Sequence, residues 1–333
     1  MAGAAAGGAE LFYERLVAAQ HRSGDEILAI IRRNPGRATC LRAAGCSVAE
    51  LRFGGALDLM TRPRLARRLA AFSPAIVMAW MSRAAAMTPA GEYVLVGRLG
   101  GAYDLRRFRR CDHLVANTRG LVDWIRAEGW PARRVHLLPN FVPDLAGAAP
   151  AALPVPPGSP TVLVMGRLHR NKAFDVLVSA IRRLPGVHAV IAGEGPERQA
   201  LKALARSEGV EDRVHFLGWR VDQAALLAAA SLLVVPSRVE PLGNVILEGF
   251  SAGVPVVAAA SDGPRETICS GLTGLLAPVD DPEALAEAIG AVICDPVLAA
   301  RLGRAGRAEF EARHAEAAVL AEWRALLPTL EKA

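Results

Sequence analysis

The chain has 333 residues, enough for two domains with separate cores, and 52% of them are apolar, which excludes a disordered protein. No uncharged apolar run reaches the roughly 18 residues of a membrane span, the opening MAGAAAGGAE lacks the basic and apolar regions of a signal peptide, and five scattered cysteines fit reduced thiols in the cytoplasm better than a disulfide frame or a zinc site. Residues 1–150 hold 21 Arg and no Lys against 12 acidic residues, and the remainder holds 18 basic against 21 acidic; the first half therefore suits an anionic membrane or acceptor, whereas 5% aromatic content and no recognition motif argue against nucleic acid.

The first strong signal is GGAELFYERLVAAQ, residues 7–20, a glycine turn entering a helix. A doubly wound domain places a strand before such a turn, and MAGAAA is a poor strand. The expectation is an N-terminal domain whose first strand is missing, and a start downstream of that strand is favoured over a domain that lacks it. EILAII, VAELRF, AIVMAW, EYVLVG and HLVANT follow as strands, with RPRLARRLAAF and TRGLVDWIRAEG as helices between them. Residues 143–160 are rich in Pro and Ala and read as a linker. Beyond it TVLVMG, HAVIAG, VHFLG, LLVVPS and VPVVAA are strands, and AFDVLVSAIRRL, ERQALKALARSEG, DQAALLAAA and NVILEGFSAG are their helices. EAAVLAEWRALLPTL closes the chain as a further helix. Continuous apolar strands alternating with amphipathic helices predict parallel sheets covered on both faces. The fold expected is α/β, two tandem doubly wound, Rossmann-like domains facing a central cleft. Their bounds are 1–145 and 161–315, with a linker at 146–160 and a closing helix at 316–333 that returns to the first domain.

Three stretches carry chemistry. In VMGRLHRNKAFDVLV a strand ends at Gly166, a turn holds Arg167 and Lys172, and a helix begins near Ala173. Free amides and the positive end of a helix, joined by two cations, form a clamp for a diphosphate. In IAGEGPERQ, Gly193 and Gly195 permit a tight turn or a close backbone approach to a ligand, and both are expected to bind the donor. In PSRVEPLGNVILEGF, Glu240 lies in a loop, Gly243 and Asn244 open a helix, and Glu248 sits more than a turn into it. The two carboxylates are then on the order of 10 Å apart, too far for a shared acid/base pair and suited to two ends of one elongated ligand. Glu248 is costly to bury among apolar neighbours without a partner.

With these residues in place the second half resembles the donor domain of a retaining GT-B glycosyltransferase of family 4 (glycosyl transferases group 1). EPLGNVILE matches the family's Glu, seven residues, Glu signature; GRLHRNK resembles its Gly-Arg…Lys phosphate motif; GEGPERQAL, VHFLGW and SDGPRETICSGLTGLLAPVDDPEALAEAI follow in the family's order. GGAELFYERL resembles the turn before the acceptor domain's first helix. The branch most alike builds lipopolysaccharide and other envelope glycans. The resemblance implies that Arg167 and Lys172 hold the donor diphosphate, that Glu240 binds the donor sugar, and that Glu248 binds the ribose. It also implies that the backbone at Gly166, Leu242, Gly243 and Asn244 touches sugar or phosphate, that the loop from Leu217 to Trp219 meets the base, and that Gly7 and Gly8 approach the phosphate or the acceptor. Where the family often carries a histidine after an acceptor-domain strand, this chain has VMAWM, with Met78 and Trp80. No Asp-x-Asp is present, which implies metal-independent chemistry, and no cofactor is implied beyond the nucleotide-sugar co-substrate.

The function expected is retaining transfer of a sugar from a nucleotide donor to a lipopolysaccharide-core or other lipid-linked acceptor. The enzyme would be cytoplasmic, with the basic half in peripheral contact with the inner membrane. The alternatives are a non-catalytic nucleotide-sugar-binding remnant and a GT-B sugar-nucleotide epimerase.

Overall fold

The apolar runs form strands whose pairings are parallel throughout. The computed structural model describes every residue except 5–6, 55–56 and 333. The chain divides into two units, residues 1–140 with 316–333, and residues 141–315.

The first unit begins with α1 (Gly8–Arg22), β1 (Leu28–Arg32), α2 (Pro35–Ala43), β2 (Ser47–Leu51), α3 (Thr61–Phe72), β3 (Ile76–Trp80) and α4 (Met81–Met87). It continues through β4 (Val94–Leu99), β5 (His113–Ala116), α5 (Arg119–Ala127) and β6 (Val135–Leu137). One sheet has the order β3-β4-β5-β6, and β1-β2 is a separate pair. Two helices, α2 and α5, start where a side chain satisfies a free amide: the Asn34 carboxamide oxygen accepts from Arg37 N (3.0 Å), and Thr118 Oγ1 accepts from Leu121 N (3.3 Å). Leu95, Leu114, Leu121 and Ile125 then bury together between sheet and helix.

Among the described residues no strand precedes α1. Met1 instead makes a single parallel bridge to β1: its nitrogen donates to Ile30 O (2.7 Å), and its carbonyl accepts from Arg32 N (2.9 Å). β1 and β3 do not pair, and an apolar cavity of about 250 Å³ is lined by Met1, Leu28, Ile30, Leu65, Ile76 and Met78.

The second unit holds β7 (Thr161–Met165), α6 (Phe174–Arg182), β8 (His188–Ala192), α7 (Arg198–Ser207), β9 (Val214–Gly218) and α8 (Gln223–Ala229). β10 (Leu232–Val235), α9 (Asn244–Ser251), β11 (Val256–Ala259), α10 (Asp262–Thr267), β12 (Leu275–Ala277), α11 (Pro282–Cys294) and α12 (Pro296–Glu309) complete it. Its sheet has the order β12-β11-β10-β7-β8-β9 and is buried on both faces. Residues 146–160 lie with this unit: Ala151, Leu153 and Val155 pack on its core, and Ala151 N donates to Ala225 O (2.9 Å). Arg307 holds Asp144 at 2.8 Å.

The last helix, α13 (Glu316–Leu326), belongs to the first unit, where Trp323 is buried. Arg98 is buried there without a carboxylate. It donates to Leu138 O (2.8 Å) and Asn140 Oδ1 (2.7 Å), and lies over the rings of Phe12, Trp80 and Trp323 at 5.3, 5.7 and 5.6 Å. Burial lowers its pKa to about 9, which still leaves it charged at neutral pH.

Candidate active site

The strand order of the second unit reverses between β7 and β10. These neighbours pair through Leu232↔Val162 and Leu233↔Leu163. The chain leaves β7 toward β8 and β9 on one side, and leaves β10 toward β11 and β12 on the other. The loops that leave two such strands part from each other and open a crevice at their carboxyl ends. Those loops are residues 166–173 and 236–243, the two segments singled out from the sequence.

The structure brings the two loops into direct contact. Lys172 Nζ donates to Glu240 Oε2 in an ion pair, and Ser237 Oγ donates to the same oxygen (3.2 Å). The Glu240 side chain is 11% exposed and that of Lys172 29%, so the carboxylate is fixed while the ammonium still meets solvent. Val239 N donates to Asn171 O (3.2 Å). Arg167 is exposed, with no hydrogen bond or ion pair among the described residues; one of the two expected clamp cations is thus held by a carboxylate and the other stands free. Just past them Ala173, at φ 51°, gives the left-handed turn into α6.

Arg238 is a part of this arrangement that the sequence reading missed. Its guanidinium donates to Asp175 through two bonds (2.9 and 2.6 Å) and to Arg170 O (2.9 Å), and pairs with Asp280. It ties the loop after β7 to the loop after β10. Burial pushes the Asp175 carboxyl upward, but the hydrogen bonds and charge of Arg238 outweigh this and leave it below the usual carboxylate range. The available signal was a cation two residues before Glu240 and an acid three residues after Lys172, too ordinary a pattern to single out.

Gly193 and Gly195 serve close approach, and what approaches is protein backbone. A Cβ on Gly193 would lie 1.8 Å from Gly166 O, and one on Gly195 would lie 2.3 Å from Leu168 O. Gly166 N donates to Ala192 O (3.0 Å) and Leu168 N donates to Glu194 O (2.9 Å). The loop after β8 therefore braces the loop that carries Arg167 and Lys172. Gly243, at φ 87°, caps α9, and a Cβ there would meet Ile246 at 2.8 Å. Gly263 comes close on the other side: its nitrogen donates to Glu240 O (2.8 Å), and a Cβ would lie 2.7 Å from Leu242 N.

The remaining expected residues fall on both units. Asn244 and Glu248 both lie on α9, and Glu248 is buried at 9% exposure. Leu217 ends β9 with Gly218, and Trp219 follows at 66% exposure, an apolar ring open to solvent. Ser261 Oγ, after β11, is buried with no hydrogen-bond partner; it was not anticipated, and a lone serine gives no sequence signal. Gly7 and Gly8 belong to the first unit, where they open α1, and the buried Glu10 fills the space a Gly7 side chain would need. Met78 lines the apolar cavity, and Trp80 is buried against Phe12 and Tyr13.

Comparison with known proteins agrees with this geometry. The sequence profile of the family "Glycosyl transferases group 1" matches residues 148–309. Lipopolysaccharide core biosynthesis glycosyltransferase LpsE of Rhizobium meliloti is 37% identical over 90% of this chain and 89% of its own. LpsD of the same organism is 33% identical over 94% and 92%. In fold the chain is similar to Anabaena Alr3699/HepE, solved with UDP-glucose, at a TM-score of 0.82 with 22% identity over 99% of this chain and 98% of that one. With a reversal site built as described and relatives alike along nearly their whole length, the chain belongs to the glycosyl transferases group 1 family and is a glycosyltransferase of the GT-B fold.

Proposed function

We propose that this enzyme is a retaining, metal-independent glycosyltransferase of family 4. It moves a sugar from a nucleotide-sugar donor to a lipopolysaccharide-core or related lipid-borne acceptor at the cytoplasmic face of the membrane. The observation that carries the donor assignment is the Lys172–Glu240 pair, set between the loops of β7 and β10. The likeness to HepE, whose structure holds UDP-glucose, supports a nucleotide-sugar donor. The names of LpsE and LpsD support an acceptor in the lipopolysaccharide core.

In this reading the donor diphosphate lies against the turn 166–172. The free Arg167 and the ammonium of Lys172 neutralise the charge that develops as the bond from the anomeric carbon to the phosphate oxygen breaks. The acceptor hydroxyl attacks from the face the phosphate leaves, and its proton passes to the departing phosphate oxygen, so the anomeric configuration is kept without a protein nucleophile. Glu240, immobilised by Lys172 and Ser237, accepts hydrogen bonds from donor-sugar hydroxyls. Glu248 does the same for the ribose, the backbone of Gly166, Leu242, Gly243 and Asn244 lines the phosphates and sugar, and the Leu217–Trp219 segment lies by the base. Gly193 and Gly195 act by holding the phosphate loop in place, and Gly7 and Gly8 serve the acceptor side.

The test is a titration of UDP-, GDP- and ADP-sugars followed by proton NMR of the product formed with a deacylated core oligosaccharide. One donor should bind, and the new linkage should keep the donor's anomeric configuration. An inverted linkage would overturn the retaining step, and a product formed only with added divalent metal would overturn metal independence.

A further inference from the structure

Between Glu50 and Glu92 the sequence places six arginines and one acid, Asp58. Four of them, Arg62, Arg64, Arg67 and Arg68, lie on α3. All four are exposed, and their guanidinium groups make no ion pair or hydrogen bond among the described residues. Leu65 and Leu69 anchor α3 in the core of the first unit; Arg62 shares their stripe at its exposed start, and Arg64, Arg67 and Arg68 turn away from it. The helix is therefore held down by one side and presents unneutralised charge on the other.

The approach to this helix is built with its apolar residues turned out. Asp58 Oδ2 accepts from Gly54 N (2.7 Å) and from Thr61 Oγ1 (2.6 Å), while its Oδ1 accepts from Thr61 N (3.1 Å). Thr61 Oγ1 in turn accepts from Phe53 N (3.1 Å). The one acid in the segment is thus spent on backbone and hydroxyl contacts, and is unavailable to the arginines. Around this knot Leu57 is 96% exposed, Leu59 82% and Met60 50%. Three large apolar side chains held in water, immediately before four unpaired arginines, call for a partner that is apolar and anionic at once.

We propose that residues 57–68 dock the enzyme on an anionic phospholipid bilayer. Leu57, Leu59 and Met60 enter the boundary between headgroups and acyl chains, and Arg62, Arg64, Arg67 and Arg68 lie among the phosphates. A soluble anionic glycan would satisfy the arginines and leave the three alkyl chains in water. A second copy meeting the same patch across a two-fold axis would set four arginines against four. The bilayer alone serves both halves of the patch. The proposal deepens the reading of a lipid-borne acceptor and rests on it for its purpose, since the patch would bring the enzyme to its substrate.

The test is cosedimentation of the full chain with vesicles of phosphatidylcholine carrying about one-third phosphatidylglycerol, against pure phosphatidylcholine. The wild type should bind only the anionic vesicles. Arg64→Gln/Arg67→Gln/Arg68→Gln should weaken binding on the order of a hundredfold. Leu57→Ser/Leu59→Ser should weaken it on the order of tenfold and abolish what survives at high salt. Leu59→Trp should show a blue shift of emission on anionic vesicles alone. Both multiple variants should keep the wild-type melting temperature and the wild-type rate with a water-soluble, deacylated acceptor. Equal binding to both vesicle types, or binding indifferent to both variants, would overturn the proposal. So would self-association, read by sedimentation, that the leucine variant abolishes, or glycan binding that only the arginine variant loses. Turnover without vesicle binding defeats the docking surface and leaves the enzymatic reading intact; vesicle binding without turnover does the reverse.

Discussion

At the scale of single residues, the site is a matter of which groups are fixed and which are free. Glu240 is held by Lys172 and Ser237, so in the proposed function it is a preorganised acceptor that need not be ordered when the sugar arrives. Lys172→Ala releases Glu240 and, in the proposed reaction, takes one charge from the leaving group. Turnover should fall on the order of 10²–10³-fold, and Lys172→Arg should restore little of it, because a planar fork cannot take the place of a compact ammonium. Gly193→Ala is the complementary test, a change that touches no ligand. Its Cβ would sit 1.8 Å from a backbone oxygen of the phosphate loop, and such overpacking typically costs about 1–3 kcal/mol. Both the melting temperature and donor affinity should drop, with donor affinity measured by calorimetry. Unchanged donor affinity would separate the glycine from the site.

At the scale of elements, two pairs of histidines sit at equivalent places in the two sheets. His113 of β5 and His136 of β6 are 3.0 Å apart, and His188 of β8 and His215 of β9 likewise. Burial, the neighbouring His113 and then Arg126 lower the His136 pKa to about 4, and burial with His188 lowers that of His215. An unfolded histidine takes its proton near pH 6.5, and folded His136 only near 4. The unfolded chain thus binds more protons between these values, and stability should fall as pH drops from 6.5 to 4. Urea midpoints across that range should show the slope, and His136→Gln should flatten it. These pairs escaped the sequence reading because HLVANT and VHFLG each show one histidine among strand residues, and nothing local says that adjacent strands will face them. The same limit governs the rest of the fold. Strands with four consecutive apolar residues, such as β7 and β10, were legible from periodicity, whereas β6 and β12, three residues each, are too short to show any. The loops that bring Lys172 and Glu240 together were legible because turn, helix start and charge coincide, and Arg238 was not, because its contact depends on a partner 63 positions away.

At the scale of the whole molecule, the first unit is closed by a segment from the far end of the chain. Trp323 is one of the largest fully buried side chains and shares Arg98 with Phe12 and Trp80. Trp323→Ala should destabilise the first unit by about 3–5 kcal/mol, seen in urea as an earlier transition of that unit, while the second unit's transition stays in place. The sheets of the two units differ at the same scale. β1 and β2 form a pair set apart by the apolar cavity, so amide exchange in β1 should be faster than in β10, which lies inside a six-stranded sheet.

If the Lys172–Glu240 crevice binds a nucleotide-sugar for transfer, the enzyme must release a nucleoside diphosphate with each sugar it moves. Release from UDP-, GDP- and ADP-sugars should be measured with and without a deacylated core oligosaccharide, for the wild type and for Glu240→Ala. Acceptor-stimulated release from one donor, reduced at least on the order of a hundredfold in the variant, is the result expected. Donor binding without release under any acceptor, or a variant as fast as the wild type, would contradict it.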